Sequence, residues 1–453
     1  MPLPTSSARR RCLASSRCLA STGAPFVTGT LNPRALVTVV LANALEFFEY
    51  FAYATFARFI GAAFFPHGDA GVASLAAFGT FATGFLMRPI GALVLGAYAD
   101  RVGRKPALVL NVTLVAIGTL GIALLPGHDV LGIAAPLLLL ACRMIQGFAI
   151  GGEIGAAGAY LIEQCAPERR GLYCGWLLAG QGLALLTIGA CGLLLDSLLT
   201  PVQLAAWGWR IPFLLAVTMI PVQMLLRRRL RPHDVPRHIP ADAHAGRLTG
   251  WKVLALGTFL IAGGTVPTYV ATFTAPFEMA GTMPTLQESF LVTMALGAIT
   301  SAASILGGLL ADRHGYAAVV IWARILSILA VIPTYLAAVH GMGNGVFVAG
   351  IVVVTAASCL AAGPTVALLL STVRSTSRAT SLSFIYAVGV AVFGGTAPAL
   401  VTAWNAWSGS RMAAAWYISV AAVGALAAVW ALRHHQEGHP PLTTPRRPLR
   451  RAA

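Results

Sequence analysis

Long runs of hydrophobic residues, separated by short polar segments, fill the chain from Leu36 to about Trp430. The runs reach the roughly 20 residues that an α-helix needs to cross about 30 Å of hydrocarbon. The pattern therefore predicts an all-α membrane protein with twelve transmembrane helices. The predicted helices cover residues 36–60, 73–97, 107–125, 132–160, 171–195, 208–226, 252–275, 288–310, 317–338, 343–365, 380–403 and 411–432.

Composition and charge agree with a membrane protein. Of the 453 residues, 57% are hydrophobic and 10% are charged, whereas an ordinary soluble domain is about 25% charged. If the N-terminus is cytoplasmic, 25 of the 31 basic residues lie on inner segments and three on the outer side. The positive-inside rule then places both termini in the cytoplasm, as expected for a multi-pass protein of a bacterial inner membrane. Because the positive charges are dispersed over separate loops and lack an aromatic platform, nucleic acid is not a predicted partner.

The chain divides into two similar halves. The segment GALVLGAYADRVGRKPAL at 91–108 follows the second predicted helix, and ILGGLLADRHGYAAVV at 305–320 follows the eighth. This repeat predicts two six-helix bundles related by an axis along the membrane normal, with a binding site between them near the midplane. The predicted organisation is a disordered basic cytoplasmic tail at 1–35, a bundle at 36–226, a cytoplasmic linker at 227–251, a bundle at 252–432 and a disordered tail at 433–453.

The loop after the second predicted helix combines glycine with charged residues. These residues are Gly96, Asp100, Arg101, Gly103, Arg104 and Lys105. They match G-x-x-x-D-R-x-G-R-[RK], the loop signature of the major facilitator superfamily, so the chain resembles that superfamily and its fold. The glycines permit a tight turn, and Asp100 suits the N-terminus of a neighbouring helix. We interpret the loop as a conformational gate. The second copy keeps Asp312 and Arg313 but has Tyr316 and Ala317 in place of the basic pair, which predicts a weaker gate.

Several charged residues lie inside the apolar runs. Glu46 and Glu49 stand three residues apart on one face of the first helix, and Glu153 lies in the fourth. A carboxylate at this depth is costly unless it is protonated or paired. We therefore predict that these three glutamates couple transport to protons, although a purely structural ion pair with an arginine is an alternative. Arginine and amide side chains suit a carboxylate ligand. The predicted substrate-binding residues are Asn43, Arg88, Arg143, Gln146, Gln181 and Tyr386.

A more specific resemblance follows from longer segments. GFLMRPIGALVLGAYADRVGRK, APLLLLACRMIQGFAIGGEIGAAGAYLIE, WGWRIPFLL and FGGTAPAL resemble the metabolite:proton symporter family, and particularly its citrate and tricarballylate carriers. The resemblance implies symport of a carboxylate or a zwitterion with protons. It also implies functional roles for Glu46, Glu49, Arg88, Arg143 and Glu153, the last three of which lie in the quoted segments. One departure is Ala362, which stands where the citrate carriers have a polar residue.

The predicted function is proton-coupled import of an organic acid anion, a tri- or dicarboxylate such as citrate or tricarballylate, by alternating access. The alternatives are symport of an osmolyte zwitterion or a shikimate-like acid, and a non-transporting metabolite sensor of the same fold. The sequence predicts no enzyme: it contains no phosphate-binding loop, and its seven cysteines lack the spacing of metal ligands. We expect no catalytic residue, metal or cofactor. The expected partners are the organic anion, protons and membrane lipid, and the expected oligomeric state is a monomer.

Overall fold

This computed structural model describes residues 33–65, 70–229, 250–273, 285–373 and 377–437. Most of the predicted tails, 1–35 and 433–453, and of the predicted linker, 227–251, lies outside the described residues. At their edges, helices extend a few residues into these segments, as far as Arg229 and Glu437.

The first half of the chain is a series of helices joined by short turns. They are α1 (Pro33–Thr55), α2 (Ala57–Phe64), α3 (Ala70–Val102), α4 (Arg104–Leu124), α5 (His128–Leu131), α6 (Ala134–Gly151), α7 (Glu153–Gln164), α8 (Arg170–Leu198), α9 (Pro201–Ala206) and α10 (Ile211–Arg229).

The second half follows a similar plan. Its helices are α11 (Gly250–Phe273), α12 (Leu286–His314), α13 (Tyr316–Val339), α14 (Asn344–Leu360), α15 (Ala362–Thr372), α16 (Arg378–Val388), α17 (Ala397–Ser408) and α18 (Ala413–Glu437).

Eleven helical segments of the described chain are long and apolar enough to cross a membrane. The segment predicted at 380–403 is instead divided into α16, a π-helical turn at Gly389–Gly394 and α17. A π-helical turn leaves the local hydrogen-bond ladder out of register. The Tyr417 hydroxyl of α18 donates a hydrogen bond to the Phe393 carbonyl oxygen at 2.9 Å, so the turn is supported by a neighbouring helix.

Large apolar side chains cover the outside of the molecule. Leu86 is 66% exposed, Trp322 is 71% exposed and Trp430 is 64% exposed. Polar side chains such as Asn43 and Ser304 are fully buried instead. This arrangement suits a lipid environment, in which an apolar exterior carries no cost. The protein is therefore a multi-pass membrane protein.

The two halves meet along α8 and α12, which run antiparallel. Gly175, Gly182 and Gly189 recur every seventh position on α8, and a Cβ atom at any of them would meet the backbone of α12 within 2.7 Å. Glycine is required here because the two backbones approach so closely. The α3 helix similarly contacts α16 across the interface. These two helix pairs frame the interior in which the predicted site lies.

Candidate functional site

A buried network in the first half joins one of the predicted proton-binding residues to an arginine. Gln146 of α6 donates from Nε2 to Glu49 Oε2 at 3.2 Å and to Thr119 Oγ1 at 3.0 Å. Its Oε1 accepts a hydrogen bond from Arg143 Nη1 at 2.7 Å. Glu49 and Arg143 are 2% and 1% exposed. The amide of Gln146 therefore links the carboxyl group to the guanidinium, and a change of charge on one is felt by the other.

The two other predicted proton-binding glutamates lie nearby. Glu153, at the start of α7, is fully buried and accepts a hydrogen bond from Asn43 Nδ2 at 3.1 Å. It also interacts electrostatically with Glu49. Glu46 is 1% exposed on the same helix as Glu49. Thus α1 and the junction of α6 with α7 bring the predicted carboxyls and Asn43 into one interior.

Arg88 of α3 lies in an aromatic environment. Its Cζ atom is 4.6 Å from the ring centroid of Tyr50 and 4.4 Å from that of Phe85. The hydroxyl groups of Tyr269 and Tyr386, both from the second half, interact electrostatically with its guanidinium. Arginine stacked on aromatic rings keeps its charge at a reduced desolvation cost. Arg88 is therefore the predicted arginine that faces the second half.

Arg143 has a different environment from that of Arg88. Its Cζ atom lies 4.2 Å from the ring centroid of Tyr53, and its side chain is engaged with Gln146. Arg143 is thus held within the first half and beside Glu49. Both arginines were predicted as ligands of the anion; in the structure they share the ring of Tyr50, which lies 5.5 Å from the Arg143 Cζ atom, but differ in their other neighbours.

A small cavity lies between the halves and has a volume of about 70 Å³. Of the predicted substrate-binding residues, Gln181 and Tyr386 line it, and Gln181 Nε2 donates to the Tyr386 hydroxyl at 3.3 Å. Asn43, Arg88, Arg143 and Gln146 do not line it. This volume is far below the roughly 300 Å³ or more of a typical small-molecule site, so binding of an organic anion requires the halves to move apart.

Sequence reasoning missed Arg324 of α13, which also lines this cavity. Its location inside an apolar helix is visible in the sequence, but the deep glutamates that drew attention to Arg88 and Arg143 all lie in the other half. An arginine in an apolar helix with no acidic residue at a similar depth in its own half is the signal that could have identified it.

The predicted gate residue Asp100 contacts a helix of the other half. Its carboxylate accepts hydrogen bonds from the backbone N–H of Thr380 at 2.9 Å and of Ala379 at 3.4 Å, at the start of α16. The Thr380 hydroxyl and Arg104 also donate to it. Arg104 reaches Glu163 Oε1 at 3.2 Å as well. A negative charge at a helix N-terminus is stabilised by the helix dipole, so this contact holds the two halves together at their loop ends.

The second copy of the signature makes the equivalent contact. Asp312 of α12 accepts hydrogen bonds from the backbone N–H of Gly171 at 2.7 Å and of Leu172 at 2.8 Å, at the start of α8. The turns after both copies require glycine, because Gly103 has φ of 123° and Gly315 has φ of 89°.

The remaining predicted gate residues differ in their exposure. Arg101 and Arg313 are exposed and Lys105 is partly exposed, whereas Gly96 is buried. A Cβ atom at Gly96 would lie 2.8 Å from the Thr380 Cα atom. Gly96 therefore permits close approach of α3 to α16, while the exposed cations are in position to meet solvent or lipid head groups.

Within the described residues, no group of three or more His, Cys, Asp and Glu side chains is arranged to hold a metal ion. The chemistry that the site offers is proton binding at buried carboxyls, anion binding at buried arginines, and opening or closing of the loop ends.

Comparisons with known proteins cover nearly the whole chain. The profile of the family described as "Sugar (and other) transporter" matches residues 35–232. The citrate-proton symporter of Klebsiella pneumoniae is 32% identical to this chain over an alignment 452 residues long. The alignment covers 94% of this chain and 96% of that protein. The alpha-ketoglutarate permease of Escherichia coli (strain K12) is 30% identical over 423 residues, which cover 89% of this chain and 94% of that protein.

Among solved structures, the proton:xylose symporter XylE bound to 6-bromo-6-deoxy-D-glucose aligns with a TM-score of 0.75 at 16% identity. The alignment covers 88% of this chain and 95% of that chain. At this identity the likeness concerns the fold alone. It confirms the fold predicted from the repeated hydrophobic runs and the duplicated loop.

Proposed function

The chain belongs to the major facilitator superfamily of membrane transporters, and from this premise we propose that it is a proton-coupled symporter that imports a di- or tricarboxylate. Citrate and tricarballylate are the leading substrates. Two relatives named for citrate and for alpha-ketoglutarate transport support a carboxylate substrate. The relatives are transporters, and the chain is not an enzyme.

The proposal depends chiefly on one observation: buried carboxyls and buried arginines share the interior of the first half. Glu46, Glu49 and Glu153 lie there with Arg88 and Arg143, and all five are at most 2% exposed. Each proton that the carboxyls take up makes this interior more positive by one charge. An anion is then bound more tightly, and by thermodynamic reciprocity a bound anion promotes proton uptake.

The size of this coupling is sufficient for symport. Two unit charges about 7 Å apart in an effective dielectric of about 20 interact by roughly 2 kcal/mol, which corresponds to about a 30-fold change in anion affinity per proton. The Glu49–Gln146–Arg143 network transmits this change through two hydrogen bonds of 3.2 and 2.7 Å. We assign Glu49 the main coupling role because it is the glutamate that Gln146 joins to Arg143.

Transport then proceeds by alternating access. Proton and anion bind while the loop ends are closed by Asp100 and Asp312, and release follows when these contacts break. The distribution of basic residues supports a cytoplasmic location for the loop ends and for both termini. The site is therefore open to the cytoplasm only after the two gate contacts have separated.

The test is uptake of labelled citrate by proteoliposomes that contain the purified protein. We expect an inward proton gradient to drive accumulation, and a protonophore to abolish it. Glu49→Gln should lose gradient-driven uptake by at least about tenfold but retain citrate counterflow, because exchange needs no net proton movement. Glu168→Gln is the matched control, since Glu168 is an exposed residue. Full gradient-driven uptake by Glu49→Gln would refute the assigned role.

The same assay discriminates among the alternatives. A metabolite sensor exchanges no label in counterflow. A carrier of zwitterions or of shikimate-like acids exchanges betaine or shikimate in preference to citrate. Counterflow with unlabelled tricarballylate, alpha-ketoglutarate, shikimate and betaine therefore identifies the substrate class directly.

A further inference from the structure

Arg324 is a fully buried cation at the cavity between the halves. It belongs to α13 in the second half and has no exposed surface. Within the described part of the chain, none of its three guanidinium nitrogens has a hydrogen-bond partner. Burying a guanidinium without an acceptor carries a large free-energy cost. Such a residue is expected where a ligand supplies the missing acceptors.

The structure makes room for this guanidinium. A Cβ atom at Gly264 would lie 3.1 Å from Nη2, and one at Gly263 would lie 3.2 Å from Nε. Two consecutive glycines of α11 thus allow the planar group to rest against the helix. Side chains larger than hydrogen at these positions would push the guanidinium out of its present place.

The surroundings of Arg324 offer hydroxyl groups but no negative charge. Thr268, Thr300, Ser304 and Thr365 line the same cavity, and no acidic side chain among the described residues does so. Hydroxyl groups complement a carboxylate by donating hydrogen bonds. The cavity is therefore electropositive on the side of the second half.

The opposite side of the cavity leads to Arg88. Tyr269 and Tyr386 line the cavity, and both interact electrostatically with Arg88. Arg88 itself does not line the cavity: it stacks on Phe85, whose ring in turn packs against Tyr269 at a centroid distance of 5.5 Å. A ligand that carries two or more carboxylates can satisfy both cations at once, whereas a zwitterion or a monocarboxylate can satisfy only one.

We propose that Arg324 binds a carboxylate group of the transported anion from the second half, while Arg88, which lies behind Tyr269, binds another from the first half once the halves move apart. The inference rests on the proposed function, and it assigns the selectivity for polycarboxylates to Arg324. Because the anion contacts both halves, its binding draws them together around the cavity.

The experiment measures binding to the purified full-length protein by isothermal titration. The ligands are tricarballylate, glutarate, acetate and betaine. Arg324→Gln should weaken tricarballylate and glutarate binding by at least about 30-fold, because a charge-assisted hydrogen-bonded pair is lost, while Arg324→Lys should weaken it less. The difference in affinity between tricarballylate and acetate should narrow in Arg324→Gln. The control is Arg411→Gln, which removes an exposed arginine and should leave all affinities unchanged.

A second measurement distinguishes a ligand-binding role from a structural one. The melting temperature of ligand-free Arg324→Met should rise, since the variant removes a buried charge without a partner. A lower melting temperature, or wild-type affinity for tricarballylate in Arg324→Gln, would overturn the inference. If the wild-type protein binds none of the carboxylates, the proposed function itself fails. If the wild-type protein and Arg324→Gln bind them equally, only the role of Arg324 fails.

Discussion

The gate contact at Asp312 gives the sharpest quantitative prediction. Its carboxylate accepts two backbone hydrogen bonds, from Gly171 and Leu172, with one oxygen for each. Asparagine would keep a single acceptor oxygen and lose the charge that the α8 dipole stabilises. Charge-assisted hydrogen bonds contribute about 1.5–3 kcal/mol each and neutral ones about 0.5–1.5. Asp312 is only partly buried, so after allowance for solvent screening we expect Asp312→Asn to cost the closed state about 2 kcal/mol.

This cost predicts a measurable change in population. A loss of about 2 kcal/mol shifts the equilibrium between closed and open loop ends by roughly 30-fold. Asp100→Asn should shift it further, by about 3 kcal/mol or roughly 150-fold, because Arg104 and the Thr380 hydroxyl also bind Asp100. The gate of the second half is then the weaker one, as the absence of its basic pair predicts.

The assay is a distance distribution between spin labels on Val102 and His314, measured by pulsed electron resonance in a cysteine-free background. These exposed residues lie at the loop ends of α3 and α12. Both aspartate variants should enrich the longer distance, and Asp129→Asn, which alters an exposed residue of α5, should not. Unchanged distributions in both variants would refute the reasoning, and would mean that the glycine contact of α8 with α12 holds the halves closed without help.

Three further predictions concern packing, coupling and access. Gly91→Ala should lower the melting temperature by several degrees, because the added Cβ atom would collide with the backbone of α6 and overpacking costs about 1–3 kcal/mol. The control is Gly79→Ala, which should leave the melting temperature unchanged because Gly79 has open space around it. Gln146→Leu should reduce gradient-driven citrate uptake by at least about tenfold while counterflow persists, because Glu49 loses a charge-assisted hydrogen bond. Equal losses of uptake and of counterflow would contradict the coupling role of Gln146. In a variant whose sole cysteine is Cys359, tricarballylate should slow alkylation of the Cys359 thiol, because Cys359 lines the cavity. An unchanged rate of alkylation would place the ligand outside the cavity.

The repeated hydrophobic runs were enough to predict the helices, because crossing a bilayer imposes one length on every segment. They could not reveal that the segment at 380–403 is divided by a π-helical turn. The turn accepts a hydrogen bond from Tyr417, which belongs to the following helix. A run of apolar residues in the sequence gives no information about a contact with another helix.

The two gate contacts also could be predicted only in part from the sequence. Its glycine and aspartate spacing indicated a carboxylate at a helix N-terminus, and Asp100 occupies such a position at α16. The absence of the basic pair predicts a weaker second gate, and Asp312 nevertheless makes two backbone contacts. A carboxylate needs only the N–H groups of the partner helix for these, and the identity of that helix emerges from tertiary packing.

The binding site was the part least accessible to sequence reasoning. Arg88 and Arg143 look alike as isolated arginines in apolar helices, and only their neighbours separate them. Arg324 lies about 60 residues from Gly264 in the sequence, and their proximity cannot be read from either segment alone.

The two gate contacts also have a consequence for the symmetry of the chain. Asp100 of the first half binds a helix start in the second, and Asp312 of the second half binds a helix start in the first. If two identical six-helix chains were paired about a two-fold axis, a single aspartate would make both contacts, as in any isologous dimer. Fusion into one chain allows the two copies to diverge, so that one of the two contacts can remain strong while the other is weakened independently.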